Sequence, residues 1–130
     1  MTKGKYLKRF SKLFQEFMNK EPLYPWACFI SFLLCVCCLA LPLWRIVPLA
    51  DTNPFLPLHY NVYFGVDRFG PWYHIFFLPA LGFLFFLLNT ALQMHFFRSE
   101  KLLSRFLAIS TMFIEVTFVI AMILIILLNL

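Results

Sequence analysis

Charge is scarce in this chain. Lysine, arginine, aspartate and glutamate make up 13% of its 130 residues, against roughly 25% in ordinary globular domains. Hydrophobic residues make up 62%, so a soluble domain with an ordinary surface is excluded. Glycine is also rare, at four residues, and no glycine-rich phosphate loop is present. The chain lacks a paired carboxylate set and a nucleophile placed beside a base. It therefore offers no equipment for the common hydrolytic and transfer chemistries, and a non-enzymatic protein is expected. No Asn-x-Ser/Thr acceptor occurs either, which by itself says nothing about compartment.

Long apolar runs are what the chain has in place of charge. They cover 26–44, 72–97 and 106–128. A helix needs about 20 residues, at about 1.5 Å each, to cross a hydrocarbon core. Each run is long enough. The expected fold is an all-α membrane protein of three transmembrane helices, with eighteen phenylalanines to suit a lipid-facing surface. What is left is a segment 1–22, a loop 45–71 and a short turn 98–105, none able to form an independent soluble domain.

The net charge of +5 could suggest nucleic acid, but the placement of the charges argues against it. Lys3, Lys5, Lys8, Arg9, Lys12 and Lys20 precede the first span, and Arg98, Lys101 and Arg105 separate the second from the third. Only Arg45 and Arg68 lie in the loop between the first two spans. With three spans the two rich segments share one side, nine basic residues against two. The positive-inside rule puts that side, with the N-terminus, in the cytoplasm and leaves the 45–71 loop and the C-terminus outside. The first run is too long for a typical signal-peptide core, and Pro42 with Trp44 makes a poor cleavage site, so retention as an anchor is expected. The basic start resembles a mitochondrial presequence, but Glu16 and Glu21 weaken that reading.

Residues 2–20 form the pattern of an amphipathic helix. Tyr6, Leu7, Phe10, Leu13, Phe14, Phe17 and Met18 recur at helical spacing. Lys3, Lys5, Lys8, Arg9 and Lys12 fall elsewhere around the wheel, and Pro22 and Pro25 end the helix. A helix of this kind is expected in the cytoplasmic interface, lysines toward anionic headgroups, so the bilayer is the first partner.

Polar groups inside the spans are few. Cys28, Cys35, Cys37 and Cys38 sit in the first, but hydrocarbon disfavours the thiolate that metal binding or exchange requires, and they read as small buried hydrophobes. Pro79 is expected to kink the second span. Gly82, Asn89 and Gln93 there fall on one stripe, as a packing face would. The third span carries Ser110, Thr111, Glu115 and Thr117. Counted from Arg105 and Arg98, Glu115 and Asn89 lie about 15 and 13–14 Å deep, and Thr111 and Gln93 about 8–9 Å. Antiparallel neighbours would then pair Asn89 with Glu115 and Gln93 with Thr111, with Glu115 protonated and donating to an amide. Such a carboxyl is either polar glue or a proton or cation site. With no second ionisable group at its depth, glue is the better reading, toward other membrane subunits or a second copy.

The loop 45–71 is the most distinctive region. Pro48, Pro54 and Pro57 forbid a long helix. Residues 56–64 alternate, with Leu58, Tyr60, Val62 and Phe64 on a face expected to pack on the span ends. Gly65 to Gly70 then reads as turn chemistry. Asp51, His59, Asp67 and His74 match no compact metal-ligand spacing, and no metal or cofactor is expected. His59 and Asn61 read as residues that fix a turn through backbone hydrogen bonds.

Pro57-Leu58-His59-Tyr60-Asn61, followed by Gly65, Asp67 and Gly70, resembles the P-x-H-(aromatic)-N…G loop of a module found in bacterial membrane proteins, including the SdpI-like immunity proteins. There too the loop lies between a first and a second membrane helix. The resemblance implies a bacterial inner membrane and a recognition or immunity role played through the outer loop. The leading expectation from the residues is a structural or accessory subunit, and a third is a transporter component using Glu115.

Overall fold

The computed structural model describes residues 3–52 and 54–130, the side chain of Lys3 excepted. The chain runs α1 (Lys3–Lys20), α2 (Leu23–Arg45), a short 3-10 turn (Val47–Leu49), β1 (Phe55–Asn61), β2 (Gly65–Pro71), a 3-10 segment (Trp72–Phe76), α3 (Phe77–Phe96) and α4 (Lys101–Leu128). Three stretches, Leu23–Leu49, Trp72–Phe96 and Lys101–Leu128, are helices long and apolar enough to cross a membrane. They mark a multi-pass membrane protein. The helices carry their large apolar side chains outward, Phe29, Phe113 and Leu124 among them, which is the surface that lipid accepts.

The three helices pack through small and polar residues. On α2 the buried positions are Tyr24, Ala27, Ser31, Cys35, Cys38 and Pro42, at steps of three or four. On α4 they are Ser104, Ala108, Thr111, Glu115, Met122 and Ile126. Small side chains let the two backbones approach closely, where dispersion and hydrogen bonds replace the hydrophobic drive that lipid does not provide. Close approach brings Cys38 Sγ to 3.8 Å from the Phe118 carbonyl. At the other end of the seam, Ser104 Oγ donates to the Gln93 carbonyl at 3.1 Å and ties α4 to α3.

Prolines punctuate the helices. Pro25 falls in the first turn of α2, where its missing N–H has no intrahelical partner to lose. Pro79 occupies the same kind of position, because α3 starts only at Phe77. The kink expected there is not needed, since the preceding turn is already 3-10. The expected turn 98–105 is also shorter: α4 begins at Lys101, and both Lys101 and Arg105 are helical.

The fold is not all-α. The 45–71 loop closes into an antiparallel hairpin, with Phe55 opposite Pro71 and Asn61 opposite Gly65. The turn lies at Val62–Phe64, and the stretch from Gly65 that reads as turn chemistry is the second strand. Two local features decide this. Asn61 Oδ1 accepts the Tyr63 N–H at 2.9 Å, a side-chain turn that ends β1. Gly65 then takes φ 75°, a conformation only glycine adopts freely. The strand face also departs from the expected one. Leu56 is buried and Leu58 half-buried, but Tyr60, Val62 and Phe64 stand in the open. Irregular pairing around Leu58 and His59 breaks the alternation before it reaches the tip.

The hairpin is pinned to the bundle. Asn129 Nδ2 donates to the Pro57 carbonyl at 2.9 Å, and the Trp72 N–H to the Pro54 carbonyl at 3.1 Å. Gly70 lies so close beneath β1 that a Cβ there would stand 2.6 Å from Leu58 Cδ1 and 3.2 Å from His74 Nδ1.

Candidate functional site

The interior seam holds the intramembrane polar residues. Asn89 Nδ2 donates to Thr111 Oγ1 at 3.1 Å, and Gln93 Nε2 reaches the same oxygen at 3.4 Å. Thr111 Oγ1 can accept both because its own proton goes to the Leu107 carbonyl at 2.6 Å. The expected contact between Asn89 and Glu115 does not form. The expected contact between Gln93 and Thr111 does form, and Asn89 reaches the same hydroxyl, one turn of α4 short of Glu115.

Glu115 lies one turn further along α4, 0% exposed. Neither carboxyl oxygen meets hydrogen-bond geometry with a described residue. The Cys35 thiol stands beside it. Gly82 makes room on α3: a Cβ there would lie 3.1 Å from Glu115 Oε2 and 3.2 Å from the Phe118 ring. The Glu115 carboxyl makes no ion pair with a described residue. It fills the three-helix junction and gives it a polar centre.

At the α1 end, the helix folds back on the bundle. Phe17 is 0% exposed and packs its ring 4.6 Å from that of Tyr24 and 5.6 Å, edge-on, from that of Phe97. Two forked ion pairs flank this contact. Arg105 Nε and Nη2 donate to Glu21 at 2.8 and 2.7 Å, and Arg98 donates to both oxygens of Glu16. The hydrogen bonds from Arg105 hold the Glu21 carboxyl below its ordinary value. Glu16 and Glu21 are the members of these ion pairs that sequence reading left without a role. The only signal for them was two acids within a basic segment, and their partners are more than eighty residues away in sequence. Lys5, Lys8, Arg9 and Lys12 are exposed; the side chain of Lys3 lies outside the described residues.

At the opposite end the hairpin gathers most of the loop residues singled out in the sequence. His59 Nδ1 lies 2.7 Å from Asp67 Oδ1. A carboxylate only accepts, so Nδ1 is the donor in this contact, and Nε2 makes no hydrogen bond among the described residues. The pair crosses the hairpin: His59 is partnered with Arg68 in the ladder, and the irregular register beside it lets the Asp67 side chain reach the His59 ring. Tyr60 is exposed on β1, and Pro57 meets Asn129 through its carbonyl. Beneath the pair is a cleft of about 740 Å³, with Arg68 and His74 on its rim and Phe77, Leu78 and Ile125 below. Asp51 is not part of it. Among the described residues, no three His, Cys, Asp or Glu side chains gather as a metal site.

Compared with known protein-family models, curated proteins and solved structures, the chain matches none.

Proposed function

We propose that this chain is a small non-enzymatic accessory protein of a bacterial inner membrane, working by association with another membrane subunit or with itself. Nine basic residues against two favour a cytoplasmic N-terminus and α3–α4 turn, with the hairpin outside. Tyr6, Leu7 and Phe10 keep an exposed apolar face on the first half of α1, suited to the lipid interface, while the second half is docked through Phe17.

The observation that carries the docking role is the hairpin tip. Val62, Tyr63 and Phe64 are 84, 90 and 82% exposed. They are presented on a hairpin held by Asn61, Gly65 and Asn129 rather than on a loose loop. Large apolar groups on a pinned support are what a protein contact uses. The test is gentle purification from the native membrane, followed by native mass spectrometry of the intact assembly. Wild type should carry a second subunit, and V62S/Y63S/F64S should lose it while the chain itself keeps its thermal unfolding midpoint. A wild-type monomer, or an assembly indifferent to the tip, would overturn the docking role.

A recognition role of the SdpI-like kind is favoured by one further observation, the His59–Asp67 pair over its cleft. The transporter reading of Glu115 gains less. With assembly intact, loss of activity in Glu115→Gln would favour it and retention would count against it.

A further inference from the structure

We propose that the hairpin cleft binds the phosphate of a membrane phospholipid, with its acyl chains lying in the two grooves that meet below His59. This site is separate from the tip and does not rest on the docking role.

The geometry is that of an amphiphile site. The cleft of about 740 Å³ has a polar rim, formed by His59, Asp67, Arg68 and His74, over an apolar floor of Phe77, Leu78 and Ile125. A second groove of about 540 Å³ begins at the same Leu58 and His59. It runs along α4 past Ala121, Leu124 and Leu128, a distance of about 10 Å at the helical rise. Leu58, His59 and Ile125 line both grooves. A polar end shared by two apolar grooves matches a diacyl lipid, and each groove falls in the usual ligand range of about 300–1,000 Å³.

The charges fit a phosphate. The Arg68 guanidinium makes no ion pair or hydrogen bond among the described residues, unlike those of Arg98 and Arg105, which are already committed to Glu16 and Glu21. A planar fork with five donors is the side chain best matched to phosphate oxygens. His59 is braced by Asp67, its Nε2 makes no hydrogen bond among the described residues, and His74 stands on the same rim. The Asp67 carboxylate is the one anion there, and its contact with His59 occupies one of its oxygens. The position suits a lipid as well. Trp72 and Tyr73 mark an interfacial belt, and the grooves begin where α3 starts and α4 ends. The larger groove between α1 and α3, about 790 Å³, is lined almost wholly by apolar groups, and the arginine at its end is the ion-paired Arg98.

The test uses the full chain in lipid-free detergent, with binding measured by calorimetry. The probes are a short-chain diacyl phosphatidylglycerol, glycerophosphate and inorganic phosphate. Wild type should bind the diacyl lipid saturably, while the two water-soluble phosphates should bind far more weakly. Arg68→Gln should weaken lipid binding about tenfold to a hundredfold, the range for loss of one charge-assisted hydrogen bond. Because α1 is itself basic and can attract anionic lipid, K8Q/K12Q is the control and should keep the site. Equal binding by wild type and Arg68→Gln would overturn the proposal. So would binding of inorganic phosphate as tight as that of lipid, since the grooves would then contribute nothing. Loss of binding in K8Q/K12Q alone would assign the lipid to α1 and overturn it too.

Discussion

Truncating Phe17 should free α1 from the bundle. Among the described residues of α1, Phe17 is the one large side chain that is fully buried. Its ring meets Tyr24 at 4.6 Å and Phe97 at 5.6 Å. Removing a buried phenylalanine costs about 3–5 kcal/mol, of which each aromatic pair accounts for about 0.5–1.5 kcal/mol beyond the area it buries. Lipid tails can fill part of the gap, so the lower end, about 3 kcal/mol, is the working figure for Phe17→Ala. Each 1.4 kcal/mol is tenfold in an equilibrium, so the detached state of α1 should rise about a hundredfold. The assay is amide hydrogen exchange across residues 13–20 in a lipid nanodisc. Exchange there should quicken about a hundredfold, up to the limit set by the docking energy of α1 itself. Phe10→Ala is the internal control. Its side chain is 60% exposed, so the change should stay within about 0.5 kcal/mol, a factor of two to three. If Phe17→Ala and Phe10→Ala exchange alike, then the bilayer holds α1 and the aromatic contact does not. The reasoning from the packed ring would then fail.

Two other perturbations follow from the same contacts. Thr111→Val keeps shape but removes the oxygen shared by Asn89 and Gln93. Intramembrane hydrogen bonds average about 0.6 and reach about 1.7 kcal/mol each, so two should destabilise the bundle by about 1–3 kcal/mol in a detergent unfolding titration, and an unchanged midpoint would contradict the shared-acceptor geometry. The Glu21–Arg105 pair should make α1–α2 docking sensitive to acid. Because the folded carboxyl lies below its ordinary value of 4.5, its contribution is complete above that pH and is lost as pH falls through the lowered folded value. Proteolysis at the α1–α2 junction should therefore rise on acidification below about 4.5 in wild type. Glu21→Gln should flatten that dependence, and the same acid response in both would remove the pair from consideration.

The sequence by itself determined the class of this protein. Three apolar runs long enough to span, and helical periodicity before the first of them, follow from local composition and spacing. Those properties survive any arrangement of the helices. Local chemistry also marked the hairpin residues, because Asn61 and Gly65 carry their conformational preferences with them. What the chain order could not decide was which residue meets which. Gln93 meets Thr111 as its depth predicts, but Asn89 also meets Thr111 rather than Glu115, because the facing of two helices is set by how they pack and not by depth alone. The strand from Gly65 looked like a turn because its glycines are read singly, whereas pairing with Phe55–Asn61 is a long-range event. Glu16 and Glu21 found their arginines on distant helices for the same reason. Only tertiary packing brought His59 to Asp67 above a cleft that Arg68, His74 and Ile125 complete, since those groups come from both strands and from the ends of two helices.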